Sequence, residues 1–230
     1  MKHLILFDID GTLLRCGPQV GPLFVDALDQ VFGSYRKLEG YSFSGKTDPR
    51  IVIDLVGATG MEETEIIPKL ARMRSIYLDN LERGLRREGM RLLPGVEKLL
   101  DHLTGRDDVL IGLLTGNWQG GARIKLGRFG LNRYFEFGAF GDDGINRRDL
   151  VPVVQRRAAE LSGRHFDPVR TLIVGDTELD VDCAQSVGAK SLAVTTGFTR
   201  AERLHAAGAD WVFSDLEQAA DEIEHFIDVA

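Results

Sequence analysis

Apolar runs of β type alternate with stretches of helical period along most of this chain, and that alternation restricts the fold more than any single residue does. The runs fall at Leu4 to Phe7, Val109 to Leu114, Phe135 to Phe140, Thr171 to Val174 and Ser191 to Thr195, with a shorter one at Trp211 to Phe213. Between them, apolar residues at helical spacing cover Glu97 to Leu103, Gly121 to Phe129, Leu150 to Leu161, Leu179 to Val187 and Leu216 to Ile227. Strands separated by helices lie parallel, and a parallel sheet needs cover on both faces. The pattern predicts an α/β fold with a doubly wound, parallel-sheet, Rossmann-like core.

The first strand breaks the rhythm. From about Arg15 to about Glu88 no strand pattern stands out, and amphipathic spacing appears around Leu23 to Phe32, Ile51 to Leu55 and Glu65 to Leu85. Strand and helix alternation resumes after Leu93-Pro94-Gly95-Val96, where proline and glycine punctuate the chain. Residues 1–14 and 91–230 are therefore expected to form the core, and residues 15–90 an all-helical cap inserted after the first strand. Gly17, Gly21 and Gly89 are candidate hinge residues beside the junctions.

The chemistry-bearing residues follow the strands. The first run ends in Asp8-Ile9-Asp10-Gly11-Thr12, which puts acids at the carboxyl edge of the sheet, where open α/β folds bind ligands. Two carboxylates this close repel each other unless a cation intervenes, and a hard divalent ion such as Mg2+ suits oxygen donors. Side chains alternate along a strand, so Asp8 and Asp10 share a cavity only if the strand breaks at Asp10; Gly11 permits that break. The second core run ends in Thr115-Gly116-Asn117, a hydroxyl and free amides ahead of a helix, suited to phosphate oxygens. The run at Thr171 to Val174 leads into Gly175-Asp176 and on to Asp180. A spacing of four at a helix start brings those acids to one side, so Asp8, Asp10, Asp176 and Asp180 are expected to converge.

Composition narrows the partners. A chain of 230 residues, 43% apolar and 27% charged, can build a substantial core with an accessory domain. A net charge of -7, without basic blocks, argues against nucleic acid and against an anionic membrane surface. No apolar run of membrane-spanning length and no leader pattern is visible, so a cytoplasmic location is expected. Cys16 and Cys183 match no metal or redox spacing and read as free thiols. The five histidines share no ligand spacing and read as surface or edge residues. A monomer and a homodimer both fit.

Taken together, Asp8-Ile9-Asp10-Gly11-Thr12, Thr115-Gly116-Asn117, a basic residue near Arg147 and Gly175-Asp176 through Asp180 resemble the signature of the haloacid dehalogenase superfamily. The likeness is to its phosphoglycolate-phosphatase-like branch with a helical cap, and it extends over essentially the whole chain. The resemblance implies a Mg2+-dependent phosphatase acting on a small phosphorylated metabolite. Asp8 is then the nucleophile and forms an aspartyl phosphate. Asp10 is the general acid and base, a task suited to a carboxyl raised by its neighbours. Asp8, Asp176, the Asp10 backbone carbonyl and, in support, Asp180 would hold the metal. Gly11, Thr12, Gly116 and Asn117 would surround the phosphoryl group, with Thr115 as a donor.

The third motif departs from the common Lys-Pro pattern. Here the chain reads Asn146-Arg147-Arg148-Asp149, with Arg147 the choice and Arg148 its rival. Ser44-Gly45-Lys46-Thr47-Asp48 resembles a cap motif that would set Lys46 over an anionic part of the leaving group. A phosphosugar mutase, a phosphonate hydrolase using Lys46, a dehalogenase and a non-catalytic binding protein are the alternatives; the acid at Asp10 weighs against the dehalogenase.

Overall fold

The computed structural model describes residues 2–33, 35 and 39–229. Strand β1 (His3–Phe7) carries the run that opens the chain. After it come the two-residue strand β2 (Leu14–Arg15), helix α1 (Val20–Phe32), helix α2 (Asp48–Gly57), helix α3 (Glu63–Ile66), helix α4 (Leu70–Gly84) and strand β3 (Arg91–Leu92). The remainder alternates: α5 (Val96–Thr104), β4 (Val109–Leu114), α6 (Gln119–Gly127), β5 (Gly138–Ala139), α7 (Leu150–Ser162), β6 (Thr171–Gly175), α8 (Glu178–Val187) and β7 (Lys190–Val194). The chain closes with α9 (Ala201–Ala206), β8 (Trp211–Phe213) and α10 (Leu216–Val229).

The strands form one six-stranded sheet in the order β5-β4-β1-β6-β7-β8, every pair parallel. The α/β expectation holds. Alternation along β1 sends Ile5 and Phe7 into the core on one side of the sheet and Leu4 and Leu6 into the core on the other. Helices α5 and α10 contribute Leu99, Leu100, Ile223 and Phe226 to the first. Helices α7 and α8 contribute Val151, Val154, Cys183 and Ala184 to the second. Because β1 lies between β4 and β6, the chain order reverses at its carboxyl end, and a crevice opens there between the loops that follow β1, β4 and β6. Among the described residues no helix is long and apolar enough to cross a membrane.

Four local features differ from the sequence expectation. The run at Phe135 to Phe140 yields only the short β5, an edge strand paired to β4 alone, while Phe135 and Phe140 pack into the core beneath it. The helical stretch from Glu65 to Leu85 is interrupted by a 3-10 turn at Ile67–Lys69; Pro68 lacks the amide hydrogen that a continuous helix requires. The β2 and β3 pair and helix α9 are too short for their periodicity to register. His3, expected near the surface, is buried with its ring edge-on to Phe226.

The antiparallel pair of β2 with β3 joins the two ends of the helical segment, with Leu14 opposite Leu92 and Arg15 opposite Arg91. Within the segment α1 packs on α4, with the Phe24 and Tyr77 rings edge to face at 4.9 Å. Both rings also meet Trp118 of the core, which ties the helical layer to the sheet. Gly17 lies just inside the entry junction with φ +68°, and a Cβ there would stand 2.3 Å from the carbonyl oxygen of Gly89 at the exit. A side chain at this point is excluded both by the backbone angle and by the opposite junction. Gly17→Ala is expected to lower stability by about 1–3 kcal/mol, read as a lower midpoint in urea unfolding; an unchanged midpoint would show that the junction yields freely.

Candidate active site

β1 ends at Phe7, and the chain then folds tightly, with the amides of Leu13 and Leu14 donating to the carbonyl of Ile9. Gly11 has φ +91°, the break expected from the sequence, and a Cβ on it would lie 2.5 Å from Oδ2 of Asp176. Only glycine lets the loop after β1 approach the acid after β6 this closely. Asp8, Asp176 and Asp180 consequently lie together, all buried, each offering a carboxylate oxygen within 4.8 Å of the others.

Arg147 explains how these acids coexist. Its guanidinium is buried and its Nη2 lies 3.0 Å from Oδ1 of Asp8 and 2.5 Å from Oδ1 of Asp180. The same group donates to the carbonyls of Gly45 and Leu114 at 2.9 and 3.1 Å. The arginine fork is therefore spread among protein oxygens and bridges the two acids. Arg148 is exposed and bonds the carboxylate of Asp182 at the surface, so of the two rivals it is Arg147 that reaches the acids.

Asp180 has a second task as the third residue of α8. Its Oδ2 accepts hydrogen bonds from the amide and the hydroxyl of Thr177, at 3.0 and 2.7 Å, in a capping box. Asp176 has no such support: its Oδ1 is buried without a partner. An orphaned, buried carboxylate oxygen next to two more carboxylates fits a cation, and the hard oxygen donors fit a divalent one. Burial pushes Asp8 up to about 6, with Asp180 and Asp10 adding to it against the pull of Arg147. Burial and the neighbouring Asp8 and Asp180 charges hold Asp176 well above the ordinary carboxyl range.

Asp10 departs from the expectation in two ways. Its carboxylate stands outside the group of three and turns to Lys125, whose Nζ lies 2.6 Å from Oδ2; the Asn117 amide donates to the same oxygen at 2.8 Å. Burial opposes ionisation of Asp10, but the Lys125 charge and these hydrogen bonds outweigh it, so its carboxyl is lowered where the sequence reading expected it raised. Lys125 is itself 4% exposed and also donates to Oδ1 of Asn117 at 2.6 Å. Lys125 is not among the residues expected at the site from the sequence. Its position alongside Gly121, Ala122 and Leu126, on the buried side of α6, was the available signal, since a charge on such a face needs a partner.

The remaining predicted residues distribute as follows. The Thr115 hydroxyl is buried and accepts from Nδ2 of Asn117 at 2.9 Å. Gly116 meets the helical segment, for its carbonyl accepts from the Asp48 amide at 2.8 Å, and a Cβ on it would strike the Lys46 carbonyl. Gly11, Thr115, Gly116 and Asn117 all line the crevice, whereas Thr12 is fully buried, is absent from its wall and has a hydroxyl without a partner. Lys46 lines the crevice with its Nζ 2.9 Å from Oδ2 of Asp54 and 3.8 Å above the centre of the Tyr41 ring. Thr47 caps α2 by accepting from the Arg50 amide. Asp48, whose carboxylate accepts from the Trp118 amide at 2.8 Å, is pushed up to about 7 by burial despite nearby Lys125. The thiols of Cys16 and Cys183 are free and buried, and burial pushes both up to about 12, so neither is an available nucleophile.

Two consequences are measurable. Asp8, Asp48 and Asp176 all hold protons in the folded chain that the unfolded chain releases near pH 4. Through these three groups the folded state binds more protons in that window, so their contribution to metal-free stability falls as pH rises from about 4 to about 7. A divalent cation seated among the acids offsets the repulsion. Mg2+ is expected to raise the melting temperature by about 5 °C at pH 7.5 and by much less at pH 5, as differential scanning fluorimetry would show; an equal effect at both pH values would contradict the coupling. For the second, Lys125→Met is expected to lower kcat by about 100-fold or more with a smaller change in KM, in steady-state assays on folded protein. Full activity would remove Lys125 from the site's working parts.

The comparisons with known proteins agree with this geometry. The family model of haloacid dehalogenase-like hydrolases matches residues 5–194. The chain is 29% identical over 231 aligned positions to a phosphoglycolate phosphatase of Synechococcus elongatus, covering 95% of this chain and 97% of the relative. It is 26% identical to a phosphoglycolate phosphatase of Cereibacter sphaeroides, covering 94% and 95%. Among solved structures, β-phosphoglucomutase from Clostridium difficile superposes with a TM-score of 0.73 at 17% identity over 99% of this chain and 98% of that one, a likeness of fold. With the match spanning most of the core and the acids gathered at the sheet edge, the chain belongs to the haloacid dehalogenase-like hydrolase family, in its phosphoglycolate-phosphatase-like branch.

Proposed function

We propose that this hydrolase is a Mg2+-dependent phosphatase that cleaves small phosphate monoesters through an aspartyl-phosphate intermediate. The observation that carries the reading is the set of buried carboxylates at the carboxyl edge of β1 and β6, with an orphaned oxygen on Asp176 and Arg147 bridging Asp8 to Asp180. Asp8, Asp176 and, in support, Asp180 are the residues to hold the cation. The cation supplies charge neutralisation between an anionic nucleophile and an anionic phosphate.

Asp8 attacks phosphorus, the ester oxygen leaves, and an acyl phosphate forms on the Asp8 carboxylate. Arg147 keeps Asp8 in place and offsets part of its charge. Asp10 donates a proton to the departing alkoxide and later takes one from the water that attacks the aspartyl phosphate. Held by Lys125, Asp10 is ionised, the state required for the second half-reaction. The first half-reaction needs Asp10 protonated, which calls for a higher proton affinity while substrate is bound. Residues 15–90 serve as a cap, closing over the crevice to limit bulk water.

The test is phosphate release from small monoesters with Mg2+ and with excess chelator. Release is expected to depend on the cation, and Asp8→Asn is expected to reduce it by at least about 1,000-fold while leaving the melting temperature within a few degrees. Undiminished hydrolysis by folded Asp8→Asn would exclude the covalent route.

A further inference from the structure

The crevice above Asp8 extends far beyond what a phosphoryl group needs. It opens into a cavity of about 810 Å3 between the core and the helical segment, within the roughly 300–1,000 Å3 typical of pockets for drug-sized ligands. Its walls carry the rings of Phe24, Tyr35, Tyr41, Phe43, Tyr77 and Phe198. Phe198 is 83% exposed and Phe43 50%, so the outer part of the cavity presents open aromatic faces. Exposed rings at a concave site are a feature of binding surfaces for apolar groups.

Three of the cations lining the same cavity are paired with acids, and the fourth, Arg15, is bonded to backbone carbonyls. Among the described residues the cations there are Arg15, Lys46, Lys125 and Arg147. Arg15 donates to the carbonyls of Thr196 and Gly197 at 2.6 and 2.5 Å and lies over the Phe198 ring. Lys46 is held by Asp54 and Tyr41, Lys125 by Asp10 and Asn117, and Arg147 by Asp8 and Asp180. A carboxylate on the leaving group would have to share a cation that already has protein partners, whereas an uncharged ring asks nothing of these cations.

We infer that the preferred substrates are phosphate monoesters whose leaving group is bulky, uncharged and aromatic, seated among the rings of the cavity, and not short acids such as glycolate. This rests on the phosphatase reading and refines it. Lys46, anticipated from the sequence as an anionic subsite, would then support the cavity wall through Asp54 and Tyr41.

The test compares kcat/KM for ethyl phosphate, benzyl phosphate, 2-naphthylmethyl phosphate and phosphoglycolate. All four release alkoxides, so the series reports mainly on the cavity and little on leaving-group chemistry. The naphthylmethyl ester is expected to exceed both ethyl phosphate and phosphoglycolate by at least about tenfold, mostly through KM. The double variant Phe43→Ala with Phe198→Ala, at exposed positions, is expected to shrink that ratio about fivefold. A flat series, a preference for phosphoglycolate or an unchanged ratio in the variant would overturn the inference while leaving the phosphatase reading intact. No metal-dependent release from any of the four would overturn both.

Discussion

Mutual repulsion among buried carboxylates is the constraint around which this structure is arranged. Asp8, Asp176 and Asp180 lie within a few ångströms of one another and away from water, where each charge raises the cost of the next. Arg147 reaches the acids after β1 and on α8 together, and it also donates to the carbonyls of Gly45 and Leu114. One side chain thereby joins the sheet edge, the start of α8 and the loop leading to α2. Asp176 is left with an unsatisfied oxygen, an imbalance that a divalent cation would correct.

A second cation keeps the two acids of the first loop apart in role. Asp8 and Asp10 are separated by one residue, yet the turn at Gly11 lets one join the acid cluster while the other meets Lys125 and Asn117. Their ionisation is driven in opposite directions as a result: Asp8 upward by burial and like charge, Asp10 downward by an adjacent ammonium. Such a separation is what the proposed division of labour between a nucleophile at Asp8 and a proton carrier at Asp10 requires. Asn117 belongs to the second environment, for its side chain is committed to Asp10 and Lys125.

The helical segment contributes to the site in two distinct ways. Near the chemistry, residues 45–48 are bonded to the core through Arg147, Gly116, Ile145 and Trp118. Farther out, α1, α2 and the loop between them supply Phe24, Tyr41, Phe43, Ile51 and Leu55 to an apolar wall. Polar anchoring beside the reacting group and apolar surface beyond it are the conditions under which a fixed phosphoryl site accommodates a variable leaving group.

Much of this was legible in the residues themselves. Strand and helix periods located the six core strands and their main helices, because a sheet buried on both faces imprints a continuous apolar run and its covering helices imprint a 3.6 period. The loop acids and Gly11 were legible for an equally local reason, since a strand end, a charge and a permissive backbone lie within a few residues. Distant pairing was not. That Arg147 and not Arg148 faces the acids depends on the direction of a turn fixed by the Asn146 and Asp149 capping box. That Lys125 meets Asp10 depends on β4, which leads into α6, lying beside β1, although the two residues are 115 positions apart. The residues alone established which acids end the strands and that these gather at one sheet edge; the packing of the chain decided which further groups join them and which charges neutralise which, because electrostatic partnership follows distance in space and carries no periodic signal along the chain.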